Sequence, residues 1–186
     1  MTLAETEYNE YLDTHLHLLL FVGLQKKIVS INTVISTFKK FDIEVKFTCR
    51  EALLDDIDLS DEYVASNFDH LSATQIKIIN GFKKHVKSKF IVLKYLKDYA
   101  IFMDVKTNLF YATKALSNHF DNFFDTLPVL ISTALIPLNG AIVYDGFLQK
   151  QGIYFGKNIR QTINEDYKKA KKENRIIKVL DEDNKQ

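Results

Sequence analysis

Two triplets, Glu44-Val45-Lys46 and Asp104-Val105-Lys106, share the carboxylate-x-lysine spacing of metal-dependent nucleases. In such enzymes two carboxylates hold a divalent ion, and the lysine activates water or steadies charge developing on a phosphate. Both triplets fall in segments read here as strands, and any strand with a solvated, charged outer face produces the same spacing. Asp42 would share the strand face of Glu44 without replacing the carboxylate needed on a separate strand. Beside Asp104 and Lys106, that second carboxylate would be Asp145.

Other reactive side chains are few. His15 and His17 stand two apart in a helical stripe, about 200° around the axis, so they cannot ligate one metal together. His15 lies near the apolar stripe and reads as a hydrogen-bonded, partly buried residue, whereas His70, His85 and His119 have no partners at ligand spacing. Cys49 is the single cysteine and reads as a small buried hydrophobe in a chain kept in a reducing compartment. The six glycines never take the spacing of a phosphate-cradling loop, so neither ATP-driven nor nicotinamide chemistry is expected, and no cofactor or metal is expected.

The basic residues are a better lead. The chain carries a net charge of only +1, but unevenly. Between Phe41 and Asp69 nine acidic residues face two basic ones, and between Ile76 and Lys106 eight lysines face two aspartates. Lys77, Lys84 and Lys87 recur at near-helical spacing, with Tyr95 and Tyr99 just beyond. A second cluster gathers Lys168, Lys169, Lys171, Lys172, Arg175 and Lys178. Lysines that track a phosphate backbone and aromatics that stack on bases are the ingredients of a nucleic-acid surface. A solvated helix face accounts for the same lysines.

The elements that must position these groups follow from periodicity. Tyr8, Leu12, Leu16, Leu19 and Val22 form the stripe of an amphipathic helix over Thr6 to Lys27. A short helix is expected from Val34 to about Lys40, a strand from Asp42 to Thr48, and helices at Arg50 to Ile57 and Ser60 to His70. Ser72-Ala-Thr-Gln75 is a capping-box pattern that starts a helix reaching about Ser88. The period then changes. Phe90 to Lys97 and Tyr99 to Asp104 read as a hairpin, Leu109 to Thr113 as a third strand, and Ser117 to Phe124 as a short helix. Val129 to Ile136 and Ala141 to Asp145 are joined by Asn139-Gly140, the strongest local hairpin signal in the chain. A short strand Ile153 to Phe155, a helix Asn158 to Asn174 with Ile159, Ile163, Tyr167 and Ala170 inward, and an edge strand Ile176 to Leu180 complete the pattern.

The expected fold class is α+β: a helical N-terminal half (1–88) packed on an antiparallel sheet of about five strands, closed by a C-terminal helix (89–180), with a polar tail (181–186), all in one domain of 186 residues. Two prolines leave little room for a linker. The acidic start does not fit an export signal, and the apolar run Leu18 to Gly23 is far short of the ~20 residues of a membrane span, so a cytoplasmic protein with no membrane role is expected.

The segment from Leu127 to Ile177 resembles the end of an uncharacterised protein family of low-GC Gram-positive bacteria. The resemblance rests on Leu127-Pro-Val-Leu-Ile-Ser-Thr-Ala-Leu-Ile-Pro-Leu-Asn-Gly-Ala-Ile-Val-Tyr-Asp-Gly146, then Phe155-Gly-Lys-Asn-Ile-Arg160, then a lysine-rich helix. It implies no activity, but it singles out Tyr144, Asp145, Gly146, Phe155, Gly156 and Arg160. Turn geometry explains several of these, with Gly146 and Gly156 at positive φ and Arg160 paired with Asp145.

The reading that results is a non-enzymatic regulatory or interaction domain that binds a protein or a nucleic acid. Its candidate contact residues are Lys77, Lys84, Lys87, Tyr95, Tyr144, Asp145, Arg160, Lys168 and Lys172. A small inhibitor of the kind carried by phages and mobile elements fits the size and the missing chemistry. The alternative is a metal-dependent nuclease or phosphodiesterase built on Asp104, Lys106 and Asp145.

Overall fold

Apolar residues at helical spacing draw the first segment into α1 (Glu5–Gln25), with Glu5 and Glu7 at its positive end and Tyr11, Leu18, Leu19 and Val22 buried. The computed structural model describes residues 2–180, so the expected polar tail lies outside the described residues. Two compact units result, one of Glu5–Lys84 and one of residues 2–4 with 85–180.

In the helical unit α1 is followed by α2 (Ile35–Phe38), α3 (Ile43–Asp55), α4 (Leu59–Asn67) and α5 (Ala73–Gly81). Gly23 lets α1 and α3 approach closely, because a Cβ there would stand 2.9 Å from Cys49 Sγ. Cys49 is fully buried, and burial pushes its thiol up to about 11. The capping box of α5 forms as expected: Gln75 N donates to Ser72 Oγ at 3.1 Å, and Ser72 N to Gln75 Oε1 at 2.9 Å. His15 is buried against Phe82 and hydrogen-bonded to the Tyr11 hydroxyl at 3.2 Å.

The strand expected at Asp42 to Thr48 is instead the start of α3. The alternating residues are misleading because Ile43 is 58% exposed, while Cys49, Leu53 and Leu54 bury themselves at helical spacing. α5 also ends earlier than expected. A 3₁₀ turn over Phe82–Lys84 follows it, and the first strand begins at Val86.

The second unit is built on β1 (Val86–Tyr95), β2 (Ala100–Asp104), β3 (Phe110–Lys114), β4 (Val129–Leu138) and β5 (Ala141–Tyr144). β1, β2 and β3 meander in antiparallel pairs, β3 runs parallel to β5, β5 pairs antiparallel with β4, and β4 returns to β1. The sheet therefore closes into a five-stranded barrel. The expected all-antiparallel sheet is corrected on two counts, closure and the parallel β3–β5 pair. Both depend on partners distant in sequence, which hairpin signals do not reveal. β6 (Gln149–Lys150) adds to β4, and β7 (Ile176–Ile177) adds in parallel to β3. Thr2 bridges to Ala115, and Leu3 N donates to Leu116 O at 2.9 Å, which ties the chain start to this unit.

Alternation along the strands separates two apolar layers. Phe90 of β1 meets Tyr111 of β3 edge-on at 5.9 Å, although β2 lies between their strands, so the two rings meet across the barrel interior. Phe120 closes the cluster against Phe102 at 5.1 Å and Tyr144 at 5.6 Å. One residue out of phase, Ile91, Leu93, Ile101, Met103 and Phe110 form an outer layer. The helix α6 (Lys157–Lys172) lays Ile163, Tyr167 and Ala170 on it.

Three local expectations are corrected here. Ile153 to Phe155 forms no strand, and the nearest pairing is two residues earlier, at β6. Ser117 to Phe124 contains only a 3₁₀ turn over Phe120–Asn122, where Phe120 is drawn into the barrel core. Ile159, expected inward, is 53% exposed, because the outer layer meets α6 only from Ile163 onward. The Asn139-Gly140 turn forms with φ of 48° and 74°, which asparagine and glycine tolerate best.

Candidate nucleic-acid interface

The candidate lysines are divided between the two units. Lys77 lies on α5 and Lys84 ends the 3₁₀ turn after it, both in the helical unit, whereas Lys87 is an exposed residue of β1. Their near-helical spacing in sequence is interrupted by the change from helix to strand. Lys168 and Lys172 are both exposed on α6, four residues apart and hence one turn apart on neighbouring positions of its surface. Lys169, Lys171 and Lys172 occupy the last turn, where the helix dipole favours cations.

The aromatic candidates separate as well. Tyr95 is half-buried, and its hydroxyl donates to the carbonyls of Phe124 at 3.1 Å and Phe120 at 3.3 Å. Burial, then the nearby Asp121 and Asp125, push it up to about 12, so it stays a neutral donor within the barrel. Tyr144 is buried against Phe120 and Phe123. Neither ring is presented for stacking.

Tyr99 is. A cavity of about 490 Å³ opens where the β1–β2 turn, the C-terminal end of α6 and the β7 segment meet. Tyr99 comes from the turn, Tyr167 and Lys171 from α6, and Lys178 from the segment after β7. Leu96, Ile176 and Val179 supply apolar wall, and Asn174, at φ 55° just past the helix, adds an amide. Tyr167 is held in place from two sides, by Phe110 edge-on at 5.8 Å and by Lys94 Nζ 4.8 Å from its ring centroid. Its hydroxyl is pushed up by burial and then by the nearby Tyr99. Among the described residues the wall carries two ammonium groups and no carboxylate, which favours an anion. The last carbonyls of α6 would oppose one, but Lys169, Ala170 and Lys171 already accept from the amides of Glu173, Arg175 and Asn174 at 2.9 to 3.3 Å.

Arg160 donates from Nε to the Phe155 carbonyl at 2.8 Å, which corrects the expected pairing with Asp145. Gly156 has φ −68° and precedes α6 in extended conformation, so only Gly146 of the two glycines has positive φ, at 98°. Asp145 is fully buried and accepts from Thr133 Oγ1 at 3.4 Å and Phe147 N at 3.3 Å.

Asp104 is also buried, accepting from Ser88 Oγ at 2.7 Å, Lys106 N at 2.8 Å and Thr107 Oγ1 at 3.0 Å. It organises the turn that leads into β3. Ser88 and Thr133 face each other across β1 and β4, so Asp104 and Asp145 hang from one cross-strand rung. Among the described residues no group of three or more His, Cys, Asp and Glu side chains is placed to hold a metal ion. The other triplet, Glu44-Val45-Lys46, lies on a helix, and Lys46 Nζ donates to the carbonyls of Phe41 and Lys39 at 2.8 and 2.9 Å.

Sequence reasoning missed Tyr167, Lys171, Asn174 and Lys178 as site residues. They stand 68 to 79 residues from Tyr99 in sequence, and the signal available was the lysine cluster after Asp166. No helix among the described residues is long and apolar enough to cross a membrane. Comparison with protein-family models, with curated proteins and with solved structures returned no match.

Proposed function

We propose that this protein is a non-enzymatic binding protein whose barrel unit takes single-stranded nucleic acid along the lysine-bearing end of α6 and the β1–β2 turn. The observation that carries this reading is the cavity at that end of the barrel, where a half-buried tyrosine and two lysines come together and, among the described residues, no acid lines the wall. Such a surface suits a flexible strand, because lysines follow phosphates and an aromatic ring stacks on any base. The barrel's strand order, with its one parallel pair, is that of the five-stranded barrel that in many proteins binds oligonucleotides or oligosaccharides. That likeness is an analogy of fold. α6 covers part of the outer surface of β1, β2 and β3, so the proposed contact lies on the helix and at its edge.

The test is fluorescence anisotropy of labelled ten-nucleotide DNA and RNA at low and moderate salt. Binding that weakens about tenfold or more between 50 and 200 mM salt is expected for four or so phosphate contacts. No binding at low salt would discard the nucleic-acid reading and leave a protein partner. Shortening of the oligonucleotide in magnesium, abolished by Asp104→Ala, would instead mark a phosphodiesterase.

A further inference from the structure

We infer that the cavity beside Tyr99 is a receptor for the end of a strand: it takes a terminal nucleotide bearing a phosphate monoester, with the base against Tyr99 and the phosphate between Lys171 and Lys178. The inference rests on the reading of the barrel unit as a single-strand binder and adds which part of the strand the cavity recognises.

Three features favour an end over an internal nucleotide. The first is charge. An internal phosphodiester carries one negative charge, and a phosphate monoester carries about 1.5 to 2 at neutral pH. Two lysines line this one cavity, and Lys94, stacked over the Tyr167 ring, adds a third cation beside it. The second is convergence: the β1–β2 turn, α6 and the β7 segment all line this one space, which suits a single nucleotide. A volume of about 490 Å³ is within the range of about 300 to 1,000 Å³ found for small-ligand pockets. The third is the division of the wall. Leu96, Ile176 and Val179 with the Tyr99 ring offer apolar contact for a planar base, while the tyrosine hydroxyls and the Asn174 amide offer hydrogen bonds for a sugar or a base edge. Tyr167, only 4% exposed and fixed by Phe110 and Lys94, is a rigid wall; Tyr99, half-buried, is the ring left to stack.

The experiment uses the full chain and one internally labelled ten-nucleotide strand in three forms: 5′-phosphorylated, 3′-phosphorylated and without a terminal phosphate. Anisotropy titrations should show one phosphorylated form binding at least about fivefold tighter than the unphosphorylated strand, in line with the gain from an added charge-assisted contact. Lys171→Ala with Lys178→Ala should erase that preference, so that the three strands bind alike whatever affinity is left. Tyr99→Ala should weaken the preferred form by at least about fivefold, and Tyr99→Phe should restore it, because stacking needs the ring. Adenosine 5′-monophosphate should compete where adenosine does not. Equal affinity for all three strands, with no competition by the monophosphate, overturns the inference and leaves single-strand binding standing. If no strand binds but adenosine monophosphate does and Lys171→Ala with Lys178→Ala abolishes it, the cavity is a nucleotide site and single-strand binding falls instead. Thermal unfolding of each variant separates lost binding from lost folding.

Discussion

In the helical unit, three lysines sit on carboxylates of the same unit: Lys26 Nζ lies 2.7 Å from Asp56, Lys39 Nζ lies 2.8 Å from Asp13, and Lys83 pairs with Asp61. In the barrel unit Lys168, Lys171 and Lys172 are exposed and, among the described residues, have no such partner, although Arg175 pairs with Glu173 at 2.6 Å. Part of the acidic block of the sequence is thus engaged within the helical unit, while the lysines of α6 stand beside a cavity that two lysines line. Charge counted along the chain pointed to Lys77 and Lys84 as strongly as to Lys168 and Lys172. Tertiary structure separates them, because Lys168 and Lys172 stand on the helix that brings Lys171 and Tyr167 to the cavity.

The largest expected effect breaks this contrast directly. Lys168→Glu, Lys171→Glu and Lys172→Glu together should weaken oligonucleotide binding by at least about a hundredfold and lower the salt slope by about 2, since each phosphate contact contributes about 0.7 for single strands. Anisotropy across a salt series checks it, and unchanged affinity would move the interface off α6.

A second prediction concerns the interior of the helical unit. His15 is pushed down to about 3, first by burial and then by the charge of Arg50, against an ordinary value of 6.5. The unfolded chain therefore gains a proton below pH 6.5 that the folded unit refuses. Stability should be fully present above pH 6.5 and fall as pH drops, by up to about 1.4 kcal/mol per pH unit, down to about pH 3. Urea unfolding between pH 7 and 5 measures the slope, and His15→Gln should flatten it whatever its effect on absolute stability.

The smallest effect sharpens the comparison. Lys26→Ala, Lys39→Ala and Lys83→Ala should each cost no more than about 1 kcal/mol, because the pairs they break are exposed. All three should leave oligonucleotide affinity within about twofold, by the same physical separation of roles. A large loss of binding would extend the interface into the helical unit.

Much of the local structure was legible because its causes are local. The α1 helix, the Ser72–Gln75 capping box, the β1–β2 hairpin and the Asn139-Gly140 turn are each set by residues within a few positions, whereas the buried face of α1 is turned from the expected stripe: Leu12 is 36% exposed, and Tyr11, Thr14, His15 and Leu18 are buried. The segment Asp42 to Thr48 is ambiguous because its seven-residue alternation is too short to distinguish a strand from a helix whose buried face begins at Cys49. Tyr95 looked like a stacking residue beside Tyr99, yet the two differ in what covers them: one hydroxyl is bound to the Phe120–Phe124 segment, and the other ring lines a cavity. Nothing within a few residues of either tyrosine encodes that difference.

By itself, then, the sequence determined where helices give way to strands, which turns reverse the chain and which lysines cluster, since backbone preference and periodicity act over one or two turns of chain. Tertiary structure alone decided that the strands close into a barrel through β1–β4 and a parallel β3–β5 pair, and that α6 brings Tyr167 and Lys171 to Tyr99. Those contacts join residues tens of positions apart, and they form because burying Ile163, Tyr167 and Ala170 on the barrel's outer layer removes apolar surface from water. The lysines of α6 stay outside because the same burial turns the opposite face of the helix to solvent.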